Sequence, residues 1–246
     1  MFNYLLKIEY NGSNFVGWQS QKNGKSVQDE IEKVLKKILK SKIKLIGAGR
    51  TDKGVHAFGQ YACFKYKKKI GIKNKFIETI NFFLRKKFIS IIKIEEKKIH
   101  FHARFNAKKR IYEYLIINRP SLLSIDRGKA WHIKKKININ ILKKGGSLLK
   151  GTHDFSTFRA SSCTARSPIK KIDSVVIRKK NEKIYIRFIS KSFLQTQVRS
   201  MVGCLKYLST GKWSISDFKN AMNSKKRARC ATPAPAEGLY LMDVKY

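Results

Sequence analysis

The chain has 246 residues, enough for one large core or two modest ones, and its 42% hydrophobic and 11% aromatic residues are spread along the whole length, which excludes wholesale disorder. Lys and Arg total 55 against 16 Asp and Glu, a net charge of +39 that points to nucleic acid as the partner, although a composition bias that fills solvated positions with lysine also contributes to such an excess. No stretch reads as a signal peptide or is apolar enough to span a bilayer, so a cytoplasmic protein is expected, and Cys63, Cys163, Cys204 and Cys230 lack any C-x-x-C pair and read as reduced, mostly buried thiols.

Residues 4–10 alternate in strand fashion, with Leu6, Ile8 and Tyr10 on one side, and turn at Asn11-Gly12-Ser13. Ser26 is placed to cap a helix, with Asp29 at the capping-box position, and Val27, Ile31, Val34, Leu35, Ile38 and Leu39 follow at helical spacing. A short strand over 43–46 is expected to lead into the Gly-rich segment beginning at Gly47. A strand over 61–66, a helix over 77–88 and a buried strand over 89–94 come next, and His100 and His102 share one face of a further short strand, though without a third ligand a metal site is not expected. A second block opens near Arg104. It carries a strand over 111–117, a helix over 137–150, a strand pair at 175–177 and 184–188, a long helix over 193–208, a shorter one after Ser214 and a closing strand through Leu239, Leu241 and Val244. Elements mixed in this way predict α+β lobes with partly antiparallel sheets.

The densest chemical signal is Gly47-Ala48-Gly49-Arg50-Thr51-Asp52-Lys53-Gly54-Val55-His56-Ala57. Its glycines let the backbone turn sharply and approach a ligand while a guanidinium, a carboxylate and an imidazole lie within a few residues. It lacks both the Walker lysine-serine ending and the spacing of a dinucleotide-binding loop, and an ordinary turn with Asp capping a helix remains open at this point.

The segment resembles the catalytic motif of the tRNA pseudouridine synthase A family, and further matches follow in order along nearly the whole chain. Tyr10-Asn11-Gly12 with Phe15, Gly17, Trp18 and Gln19 is similar to the family's N-terminal signature, and Phe105 through Arg110-Ile111-Tyr112 to its second active-site stretch. His153 to Arg159 resembles a loop of its second half, Gln197-Val198-Arg199 with Met201-Val202-Gly203 its third motif, and Pro233-Ala234-Pro235-Ala236 with Gly238-Leu239 its C-terminal one. Lys53 departs from the usual Ala, and the run Arg227-Ala228-Arg229 is also atypical.

The resemblance implies a pseudouridine synthase fold: two ferredoxin-like or RRM-like lobes, 1–103 with the catalytic loop and 104–246 with the Tyr and Arg site residues, whose mixed, largely antiparallel sheets meet at a basic cleft. It implies isomerisation of uridine to pseudouridine in transfer RNA, in the anticodon stem-loop at family positions 38, 39 and 40, without any cofactor or metal and by a homodimer. Asp52 is then the nucleophile, Arg199 the partner that keeps it ionised, and Tyr112 the ring that stacks on the target uracil and helps remove its C5 proton. Arg50 enters the gap left by an extruded base, His56 orders the loop, and Lys53, Arg110 and Arg159 complete the residues expected to meet RNA. Tyr112 and Tyr114 share one strand face, so Glu113 should face elsewhere. Two other readings stay open: an RNA-binding protein that kept the fold without catalysis, and a nucleosidase or glycosidase using Asp52 and Glu113 as a carboxylate pair.

Overall fold

The computed structural model describes all 246 residues and resolves them into two units, Met1–Lys108 with Tyr240–Tyr246, and Lys109–Leu239. In the first unit β1 (Phe2–Tyr10) is extended because its alternating residues reach the core: Tyr4, Leu6, Ile8 and Tyr10 are all buried. The chain then reaches α1 (Val27–Leu39), whose N-terminus is capped as its sequence predicts. The Ser26 hydroxyl accepts the Asp29 amide at 3.0 Å and donates to the Asp29 carboxylate at 2.7 Å, while Val27, Ile31 and Leu35 form the buried stripe. Lys40, at φ 50°, ends the helix.

The strand expected from Ile43 is shorter and later: β2 is only Ile46–Gly47. Side chains of α1 take the place of a strand partner before it. Glu32 accepts the Leu45 amide at 2.8 Å and Gln28 donates to the Leu45 carbonyl at 3.3 Å, so this backbone is satisfied without joining the sheet. β3 (His56–Tyr66) begins earlier than alternation suggests, and α2 (Lys73–Leu84) starts four residues before the expected Ile77, with no side-chain cap to mark it. β4 (Ile89–Lys97) follows Phe88, whose left-handed φ of 56° closes the preceding turn. β1 lies between β3 and β4 and is antiparallel to both. His100 falls in a turn and His102 in an irregular segment beyond β4 instead of on a strand, and the His102 ring nitrogen accepts the Arg104 and Phe105 amides.

The second unit runs β5 (Lys109–Asn118), β6 (Trp131–Ile133), α3 (Ile139–Leu148), β7 (Gly151–Asp154), β8 (Ile169–Lys180), β9 (Lys183–Ser190), α4 (Gln197–Ser209) and α5 (Ile215–Asn223). β9 is antiparallel to both β5 and β8, β7 is antiparallel to β8, and β6 joins the end of β5 in parallel. The helix expected from Phe193 starts at Gln197, because Thr196 adopts the left-handed conformation at φ 63°. Phe193 and Leu194 keep the apolar pattern but serve packing ahead of the helix, and the Gln197 side chain accepts the Leu194 amide at 2.7 Å. The last strand, β10 (Leu239–Lys245), enters the first unit from Tyr240 onward and lies parallel to β3, pairing Tyr240 with His56 and Leu241 with Ala57. Both units are α+β with mixed, largely antiparallel pairing. No helix is long and apolar enough to cross a membrane.

Candidate active site

Between β2 and β3 the chain passes through Arg50, Thr51, Asp52 and Lys53, and N-terminal residues hold this loop from several sides. The Tyr10 and Thr51 hydroxyls are 2.8 Å apart in a buried contact, and the Trp18 amide donates to the Thr51 carbonyl at 3.2 Å. Gly17 makes that approach possible: it sits at φ +122°, and a Cβ there would stand 2.6 Å from the Thr51 carbonyl oxygen. Downstream, the Val55 amide donates to the Asp52 carbonyl at 3.2 Å, closing a tight turn. Gln60 donates to the Gly49 carbonyl at 2.9 Å and the Ala48 amide to the Tyr61 carbonyl at 2.7 Å, which pins the loop's entry to β3. The loop is therefore over-determined by packing and hydrogen bonds, which fixes the backbone that carries Asp52.

Within it, Thr51 is buried, Asp52 is half-buried, and Arg50 and Lys53 are exposed. A half-buried carboxylate on a rigid turn can act on a ligand that approaches from solvent, and the exposed cations beside it suit a phosphate-bearing one. His56 is buried, accepts the Gly12 amide on Nδ1 at 3.0 Å and stacks on Tyr240 with centroids 4.8 Å apart. Its imidazole thus ties the Asn11–Gly12 turn and the last strand to the end of the loop.

In the second unit β5 presents Tyr112 and Tyr114 on one face. Tyr112 meets Phe193 edge-on with centroids 5.3 Å apart, and the Tyr114 hydroxyl donates to the Pro235 carbonyl at 2.7 Å. Burial raises the Tyr114 phenol well above its ordinary range, and the nearby Arg199 charge only partly offsets this. Arg199 lies in the first turn of α4, where its Nε donates to the Ala234 carbonyl at 2.8 Å while the Ala234 amide donates to the Arg199 carbonyl at 2.9 Å. Successive carbonyls of one strap, Ala234 and Pro235, therefore hold Arg199 and Tyr114. The strap lies this close to α4 because position 203 is glycine: a Cβ there would be 2.1 Å from the Thr232 carbonyl oxygen.

Glu113 faces the other side of β5, as strand alternation requires. It accepts Arg187 at 2.8 Å and Arg178 at 3.5 Å, a structural ion cluster separate from the Tyr112 face. Arg110 is buried at the start of β5 and donates to the Lys191 carbonyl, and half-buried Arg159 donates to the Cys163 carbonyl at 2.8 Å. The bracing roles of the Tyr10 hydroxyl, of Tyr114 and of the Ala234–Pro235 carbonyls are absent from the sequence reading. Their residues stand in or beside the quoted motifs, but a string of letters does not say which atoms meet.

A family model described as tRNA pseudouridine synthase matches residues 7–106 and 147–246. Over 246 residues the chain is 54% identical to the tRNA pseudouridine synthase A of Pelagibacter ubique (strain HTCC1062), with 100% of each chain covered. It is 41% identical over 243 residues to the protein of that name from Parvibaculum lavamentivorans, covering 99% of this chain and 98% of the relative, and 40% identical over 243 residues to that of Maricaulis maris, covering 99% and 97%.

Proposed function

The chain belongs to the tRNA pseudouridine synthase family, and from that premise we propose that it isomerises uridine to pseudouridine in the anticodon stem-loop of transfer RNA, at family positions 38, 39 and 40, with Asp52 as the nucleophile. The observation that carries this reading is the rigid setting of a half-buried Asp52 on a loop braced by Tyr10, Gly17 and Trp18, the kind of setting a covalent nucleophile needs.

In this reading Asp52 attacks ribose C1′ or uracil C6 to form a transient covalent bond, the N1–C1′ bond breaks, the ring turns, a C5–C1′ bond forms, the bond to Asp52 is released, and the proton lost from C5 is matched by one gained at N1. No electrons leave the substrate, so the chemistry needs neither a redox agent nor an energy source. Tyr112 stacks on the uracil and assists removal of the C5 proton, and Arg199 serves as the cationic partner of the Asp52 carboxylate. The held Nε of Arg199 supports that role, since it sets the direction of the remaining guanidinium nitrogens. Arg50, exposed on the same loop, fills the stack left by the extruded nucleotide, and Lys53, His56, Arg110 and Arg159 serve RNA binding directly or by ordering what does. We further propose that the enzyme works in the cytoplasm as a homodimer.

The carboxylate-pair alternative is disfavoured by Glu113, which faces away from Tyr112 and is occupied by Arg187 and Arg178. Incubation of the purified protein with unmodified transfer RNA, followed by nucleoside analysis, tests all the readings. Pseudouridine should appear with no added cofactor, and Asp52→Ala should abolish it while RNA binding persists. Release of free uracil would establish a hydrolase, and binding without conversion a noncatalytic RNA-binding protein.

A further inference from the structure

Twenty-six positions apart in sequence, Cys204 and Cys230 meet with their sulfurs 3.5 Å apart. Cys204 is on α4 and is 1% exposed, whereas Cys230 ends the short turn at Arg227–Arg229 and is only half-buried. The Ala231 amide points at the Cys204 sulfur at 3.4 Å, and Arg227 reaches the same turn of α4 through the Ser200 hydroxyl at 2.9 Å. Two free thiols therefore lie in contact at the root of the strap that carries Ala234, one accessible and beside a guanidinium, the other hidden behind it.

We propose that Cys204 and Cys230 are a reversible oxidative modification site, at which a peroxide converts the two thiols to an intrachain disulfide. The Cys230 sulfur attacks the peroxide, forming an S–O bond and breaking the O–O bond; for hydrogen peroxide the products are the Cys230 sulfenic acid and water. The Cys204 sulfur then displaces the sulfenic oxygen, the S–S bond forms, and the Cys204 proton leaves with that oxygen as a second water. The pair loses two protons and two electrons, which the peroxide accepts. The order follows from access and charge. The hydrogen bond from Cys204 holds the Cys230 thiol below its ordinary range despite burial, with Arg227 adding to the effect, while sharing its proton with Cys230 and burial push Cys204 up. Closing 3.5 Å to the disulfide length of about 2.05 Å needs a shift of about 1.5 Å. The extended backbone of Cys230, at φ −79° and ψ 140° on an exposed turn, is the side free to make it.

The test uses the whole reduced protein and hydrogen peroxide. After treatment, denaturation and alkylation, thiol uptake should fall from four to two, a peptide joining Cys204 to Cys230 should appear, and dithiothreitol should restore all four. In Cys204→Ser the sulfenic acid has no partner, so dimedone should label Cys230. Four free thiols after exposure to peroxide, loss of two thiols without the crosslinked peptide, or no dimedone adduct in Cys204→Ser would each overturn the proposal.

Discussion

The hydroxyl of Tyr10, at the end of β1, stands 2.8 Å from that of Thr51, the residue before Asp52. Both groups are buried, so each is the other's replacement for water. Tyr10→Phe keeps the ring against Trp18 but leaves the Thr51 hydroxyl without that partner. The expected loss of stability is about 1 kcal/mol, the net worth of a buried neutral hydrogen bond. A larger effect should appear in catalysis, with kcat for pseudouridine formation falling roughly tenfold and KM for transfer RNA little changed, since about 1.4 kcal/mol of misplacement at Asp52 is worth that factor. Steady-state kinetics and urea unfolding on the same variant separate the two effects. An unchanged kcat would mean that the Thr51 hydroxyl does not position the loop.

How legible these features are in the sequence depends on how local their physics is. β1 and α1 follow from alternation, from a 3.6-residue stripe and from the Ser26 cap, all interactions within a few positions. The residues before Ile46 look like a strand yet are satisfied by Gln28 and Glu32 of α1, and nothing in their own pattern announces it. Thr196 stops α4 from extending back to Phe193 because its backbone turns left-handed, a conformation that β-branched residues rarely adopt and that the sequence pattern therefore does not announce. β6 and β7, three and four residues long, are too short to show a period. The candidate site divides in the same way. The Gly-Arg-Thr-Asp string is visible, but the Ala234 carbonyl on Arg199 and the Cys204–Cys230 contact join positions 35 and 26 apart, and only folding reveals them.

Arg199 should not tolerate lysine. Its Nε is committed to the Ala234 carbonyl, leaving the planar fork to act from a fixed direction, and an ammonium cannot divide its donors in that way. Arg199→Lys is expected to lower kcat by about a hundredfold or more, the range seen when one electrostatic donor is removed from a catalytic site. RNA affinity, measured by filter binding, should fall much less. Equal losses in binding and turnover would reassign Arg199 to holding the substrate.

Gly203→Ala should show the strap's importance to stability. The new methyl would lie 2.1 Å from the Thr232 carbonyl oxygen, a backbone atom that cannot swing aside as a side chain does. Either α4 or the strap must move, at a cost of about 1–3 kcal/mol by analogy with overpacked cores. The movement also pulls Ala234 from Arg199, so activity should fall even where the variant remains folded. A variant with native unfolding midpoint and native turnover would show that the close approach is relaxed in solution.

The charge makes a prediction about salt. If about six or more phosphates of the RNA are neutralised by this chain, log affinity should fall against log salt with a slope steeper than about −4, taking about −0.7 per contact for single strands. Binding isotherms from low to physiological salt give the slope directly. A value shallower than about −2 would assign most of the +39 charge to solvated positions that never touch RNA.

Asp243 on β10 sets an acid limit on the first unit. Burial alone would push its carboxyl up, but the hydrogen bond from Lys245, the Lys7 charge and the Tyr61 hydroxyl together outweigh it and hold the group below its usual range. A carboxylate depressed on folding stabilises the native state fully above its unfolded pKa of about 3.9 and loses that contribution as pH falls through the folded value. The native protein should therefore lose urea resistance below about pH 4, and Asp243→Asn should be weaker at pH 7 yet change less on acidification over this range. The same substitution removes the negative charge that, after burial, most raises the Tyr61 phenol, so Tyr61 should titrate lower in the variant, which ultraviolet difference absorbance at alkaline pH reads out. If wild type and Asp243→Asn lose stability in parallel between neutral pH and pH 3, the ion cluster around β10 contributes nothing to the acid limit.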